Sequence, residues 1–95
     1  PADARPRLQL GDLYRKRGFP GDLEKAAAEY RKAIAADPAG AAAHRGLAMA
    51  LARLGDAAGA RKSFAAYLSL GPGGGERAYA EDYLKRTAPQ EGGGR

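Results

Sequence analysis

Few residues in this chain are equipped for chemistry. There is one histidine, His44, and there are two serines, Ser63 and Ser69, with no cysteine. A nucleophile needs a base beside it and a third group to orient that base. His44 opens one helical segment and Ser63 lies inside the next, so no such triad follows from their placement. Asp12, Glu24 and Glu29 supply carboxylates without an evident catalytic partner. A metal site needs more ligands than one histidine and scattered acids. Gly73, Gly74 and Gly75 precede a helical segment, a setting that suits phosphate. They lack the lysine pattern of a phosphate-binding loop, and a flexible hinge is the better reading. The expectation is a non-enzymatic chain with no cofactor and no metal.

What remains is charge. The chain carries sixteen Lys and Arg against eleven Asp and Glu, a formal net charge of +5. Such an excess favours anionic partners in general: acidic peptides, nucleic acid or lipid head groups. No apolar run approaches the length of a membrane span, and no residue pattern assigns a compartment.

The elements that must carry these charges are helices. Alanine dominates, Val, Asn and Trp are absent, and Ile34 and Thr87 are the only β-branched residues. Sheets want β-branched and aromatic side chains, whereas Ala, Leu, Arg and Glu favour helix. Apolar residues recur at helical spacing, which predicts helices near 4–17, 22–36, 41–54, 57–70 and 76–87. Asp22 is placed to cap the second of these.

The helices come in repeated pairs. Gly21-Asp22, Ala26, Tyr30, Ile34 and Pro38 recur 34 residues later as Gly55-Asp56, Ala60, Phe64, Leu68 and Pro72. Upstream the offset is 37: Leu10, Tyr14 and Gly18 answer Leu47, Leu51 and Gly55. The first copy therefore holds three extra residues within Gly18–Asp22. A period near 34 is the mark of stacked helical units. Pro38 and Pro72 stop the second helix of each pair, since the residue before proline is pushed out of helical geometry. A fifth helix, with Ala80, Tyr83, Leu84 and Thr87 on one side, has no partner after it and suits an end cap.

Leu10-Gly11, Tyr14, Ala26, Tyr30, Ala33 and Pro38 in the first copy resemble the tetratricopeptide repeat. The second copy gives Leu47-Ala48, Leu51, Ala60, Phe64, Tyr67 and Pro72. Arg7 and His44 stand where the family carries an aromatic, and Tyr67 replaces a small residue. Tyr67 must point outward or toward the last helix to avoid crowding. The resemblance implies an all-α solenoid: two antiparallel helix pairs stacked right-handed, plus a C-terminal capping helix. The repeat domain would span 1–88, with repeats at about 4–40 and 41–74, a cap at 75–88 and a flexible tail at 89–95.

The resemblance also implies a function: holding a peptide or helix of another protein in a concave groove, as an adaptor within a larger assembly. The groove positions would be Arg5, Leu8, Gln9, Asp12, Arg15 and Lys16 in the first copy, and Arg45, Met49, Ala52 and Arg53 in the second. Tyr79, Tyr83 and Arg86 of the cap would extend them. Arg5, Arg15, Lys16, Arg45, Arg53 and Arg86 then form a basic strip, suited to an acidic or extended segment. The same strip is equally readable as a solvated face. The family's carboxylate clamp needs asparagine, which this chain lacks. Two alternatives stand beside this reading. One is a self-associating scaffold or homo-oligomer, since two pairs and a cap make a short stack. The other is a basic nucleic-acid binder. It ranks third, ahead only of an enzyme, because Tyr14, Tyr30 and Phe64 are committed to packing rather than to base stacking.

Overall fold

The computed structural model describes residues 3–89. The expected tail falls outside the described residues except for Pro89. Among the described residues there are five α-helices and no strand: α1 (Arg5–Arg17), α2 (Asp22–Ala36), α3 (Ala41–Arg53), α4 (Ala57–Ser69) and α5 (Gly74–Arg86). α1 packs on α2 and α3 on α4 as antiparallel pairs, α2 joins the pairs by packing on α3, and α5 closes on α4.

Each helix end has a local cause. Pro6 sits in the first turn of α1, where its missing N–H costs nothing. Gly18 ends the helix in the left-handed region (φ 66°), its N–H returning to the Tyr14 carbonyl at 3.0 Å. α2 stops at Ala36, and Asp37 before Pro38 has left helical geometry (φ −146°, ψ 86°). α4 leaves differently, through Gly71 at φ 77° immediately before Pro72. α5 begins at Gly74, two residues earlier than expected, so only Gly73 of the three glycines lies outside the helix.

The two aspartates at equivalent repeat positions do different work. Asp56 caps α4, accepting the Gly59 N–H at 2.9 Å. Asp22 does not cap α2: Gly21 precedes the helix, and the Asp22 carboxylate turns back. It accepts from the Phe19 N–H at 3.0 Å and from Arg17 Nε and Nη2 at 2.7 and 3.0 Å. Phe19 lies within the insertion at Gly18–Asp22, and Arg17 immediately precedes it. The Arg17 guanidinium, opposed in part by desolvation, holds the Asp22 carboxyl below its usual range.

The core runs through both pairs. Tyr30 and Phe64 are fully buried among Ala26, Ala33, Ala48 and Ala60. Small residues let the helices approach, and the two rings fill the gap; full burial of such a side chain is worth about 1.5–3 kcal/mol. Phe64 meets Tyr83 and Tyr79 of α5 with ring centroids at 4.9 and 5.8 Å. Tyr67 is buried and points to α5, its hydroxyl donating to Glu76 at 3.4 Å.

Candidate functional site

The first helices of each unit, α1 and α3, and the cap α5 carry the residues expected to line the groove. Between α3 and the start of α5 lies a cleft of about 240 Å³, lined by Arg45, Met49, Gly75, Glu76 and Tyr79. Arg45 lies along Met49, Nη1 to Sδ 3.4 Å, one helical turn apart. Tyr79 stands 52% exposed although its ring edges against Phe64. Glu76 accepts from the Tyr67 hydroxyl. Burial, and then the Glu76 charge, raise the Tyr67 pKa. The cleft thus offers an apolar wall, a guanidinium on one side and a carboxylate on the other.

At the α1 end the face is closed rather than open. The Tyr30 hydroxyl reaches from the core to donate to Asp12 and to accept from Arg15 Nε at 2.9 Å. Arg15 also bonds Asp12 at 3.4 Å. Burial and the Asp12 bond push the Tyr30 pKa up to about 12, with Arg15 pulling the other way. Arg53 donates to the Arg15 main-chain carbonyl at 3.1 Å, tying the C-terminal ends of α1 and α3 together.

The thirteen predicted positions therefore divide. Arg45, Met49 and Tyr79 converge on the cleft. Asp12 and Arg15 are engaged by Tyr30. Arg5 pairs with Asp3 at 2.8 Å, and Arg86 with Asp82 at 2.7 Å. Leu8 lines a shallow hollow of about 100 Å³ beside Arg5 and the Asp37–Gly40 turn. Ala52 packs against the core, and Tyr83 is buried on Phe64. Gln9 and Lys16 are exposed. Of the six cations in the strip, Arg5, Arg15 and Arg86 have carboxylate partners. Lys16, Arg45 and Arg53 form no ion pair among the described residues.

Two lining residues, Gly75 and Glu76, were not among those predicted. Glu76, Tyr79 and Tyr83 follow one another at i, i+3 and i+7, a spacing that would have placed Glu76 on the same face. Among the described residues no group of three or more His, Asp or Glu is gathered as a metal site would require.

Two helix pairs in one register, each centred on a buried aromatic among alanines, are what a repeat family would show. The sequence profile of the tetratricopeptide repeat matches residues 8–75. The chain belongs to the tetratricopeptide repeat family. No curated protein matches it.

This repeat is a non-catalytic unit that generally mediates protein–protein interaction. The chain departs from the family where an aromatic is usual near the start of each first helix. There Arg7 pairs with Glu29 of α2 at 3.2 Å, and His44 Nε2 meets the Pro38 carbonyl at 2.9 Å. Polar contacts from the first helix to the preceding or following segment stand in for the missing ring. No helix among the described residues is long and apolar enough to cross a membrane.

Proposed function

We propose that this tetratricopeptide repeat chain captures an extended, acidic segment of another protein on its concave face, as an adaptor within a larger assembly. The observation that carries this reading is the cleft between α3 and α5. Arg45 lines it without a carboxylate partner, beside the apolar surface of Met49 and Tyr79. A partner carboxylate would meet Arg45 while a neighbouring apolar side chain covers Met49 and Tyr79. Lys16 and Arg53 would extend the attraction toward α1. Aromatic and arginine side chains are the residue types that most often dominate binding energy, and a guanidinium without an ion-pair partner can take up a carboxylate.

Panning the chain against a displayed random-peptide library tests the reading. Enriched sequences should carry Asp or Glu next to a large apolar residue. They should be lost on Arg45→Ala combined with Met49→Ala. A pool retained equally by that variant would set the concave face aside.

A further inference from the structure

The two ends of the stack formed by the described residues are unlike. The outer face of α5 carries Ala78, Glu81, Asp82 and Lys85, all exposed, with no large apolar side chain. The opposite end, formed by α1 and the turn into α2, exposes Leu13 (57%) and Phe19 (58%). Leu10, one turn before Leu13, is half-buried beside it.

The internal repeat shows what this face is shaped for. Leu10, Leu13 and Tyr14 correspond, 37 residues on, to Leu47, Ala50 and Leu51. Those three are 7%, 0% and 5% exposed, in a helix packed on both sides, by α2 and by α4. α1 touches only α2 and α3, so nothing among the described residues holds the equivalent place on it.

The charges around the face have one sign outward. Arg7 and Lys32 pair with Glu29, and Arg17 pairs with Asp22. The acid side chains are tucked in, 12% and 2% exposed, while the cations are 42–56% exposed. Lys25 lies over the Tyr14 ring at 5.7 Å and adds a further positive charge. A second copy fits this face less well. Head-to-tail stacking would bring Glu81 and Asp82 of α5 toward the cations, but it would lay a face without a large apolar side chain on Leu13 and Phe19.

We infer that the α1 end of the stack is a second docking surface, for an amphipathic helix of another protein whose apolar stripe is bordered by Asp and Glu. The helix would cover Leu10, Leu13 and Phe19 as α2 covers α3, with its acids facing Arg7, Arg17 and Lys25. Apolar burial supplies the affinity, and the charges set orientation and on-rate.

Two synthetic helical peptides serve as probes. Both carry leucine at i, i+3, i+4 and i+7, one flanked by glutamates and the other by lysines. Titration by NMR of the labelled chain should show saturable binding of the glutamate peptide, with shifts centred on Leu13 and Phe19. The lysine peptide should bind at least roughly tenfold more weakly. Leu13→Gln and Lys25→Glu, both at exposed sites, should each weaken the glutamate peptide by about tenfold or more. Equal binding of the two peptides, no binding, or insensitivity to these variants would overturn the inference. So would shifts centred on the α3–α5 cleft, which would speak instead for the concave face. A concentration-dependent dimer abolished by Leu13→Gln would assign the surface to a second copy and overturn it as well.

Discussion

The Tyr30 ring is wedged against Gly46 of the following repeat, so closely that no β-carbon fits between them. On its other side a β-carbon at Gly11 would come within 2.9 Å of the same ring. One aromatic thus fixes the spacing of three helices, α1, α2 and α3. Gly46→Ala adds a single methyl to a good helix position, yet it must displace the ring. Overpacking of this kind costs about 1–3 kcal/mol, while alanine recovers at most about 1 kcal/mol of helix propensity. Because that β-carbon would overlap several atoms of the Tyr30 side chain at once, the upper part of the overpacking range applies, and a net loss of roughly 1–2 kcal/mol is expected in urea denaturation. A variant as stable as the parent would mean that the ring is not confined there.

The polar tip of the same side chain predicts an alkaline transition. Folded, Tyr30 keeps its proton up to about 12; an ordinary tyrosine loses it near 10.0. Above 10 the unfolded state is therefore favoured by ionisation that the folded state resists. The contribution is intact below pH 10 and is lost as pH rises through about 12. Tyr30→Phe removes the titrating group, leaving Asp12 and Arg15 paired with each other. The variant should be less stable at pH 7 by about 1.5–3 kcal/mol, the range for hydrogen bonds to charged groups. Its melting temperature should also fall less steeply between pH 10 and 12. Parallel melting curves for the two proteins across that range would reveal a different Tyr30 environment.

Asp22 sets the acid limb. Its carboxyl lies below the usual 3.8 because of Arg17, so its contribution is present above that value and is lost as pH falls through the lower folded pKa. Arg17→Ala leaves the carboxylate, 1% exposed, with the Phe19 N–H as its hydrogen-bond donor. The variant should melt at a lower temperature at pH 7, and the Asp22 pKa should move upward. Carbon-detected NMR titration of the carboxyl reads that pKa directly. A value unchanged by the substitution would contradict the ion pair.

How much of this was readable beforehand depends on periodicity. Ala26 and Ala60, or Tyr30 and Phe64, announce themselves because buried positions recur at a fixed offset and all four are buried. Partner choice across helices does not recur. Asp22 and Asp56 occupy the same repeat position, yet Arg17 stands in the first copy where Leu54 stands in the second, so one carboxylate meets a guanidinium and the other caps a helix. Tyr79 and Tyr83 lie one turn apart on α5. Only the placement of α4 makes one 52% exposed and the other 8%. Arg15 and Asp12 sit at groove positions by register, but their engagement with Tyr30 depends on a hydroxyl arriving from another helix. The cleft was half legible for the same reason: Arg45 and Met49 follow from the register of α3. Glu76 joins them only once α5 has docked.

That docking is held at its far end by a single cation. Arg61 of α4 donates to the Leu84 carbonyl at 2.6 Å and to Thr87 Oγ1 at 2.7 Å. Thr87 Oγ1 in turn donates to the Tyr83 carbonyl at 2.7 Å. The last carbonyls of a helix have no partner within it, and a guanidinium there also meets the negative end of the helix dipole. Hydrogen bonds from charged donors are worth about 1.5–3 kcal/mol when well formed. Arg61→Ala should therefore loosen α5 selectively, with amide exchange accelerating over residues 80–87 and remaining slow in α2 and α3. Because Tyr79 and Glu76 ride on α5, the same substitution should weaken any ligand of the α3–α5 cleft while the fold of the first repeat persists. Exchange accelerated uniformly along the chain would show instead that α5 and the repeats open as one unit.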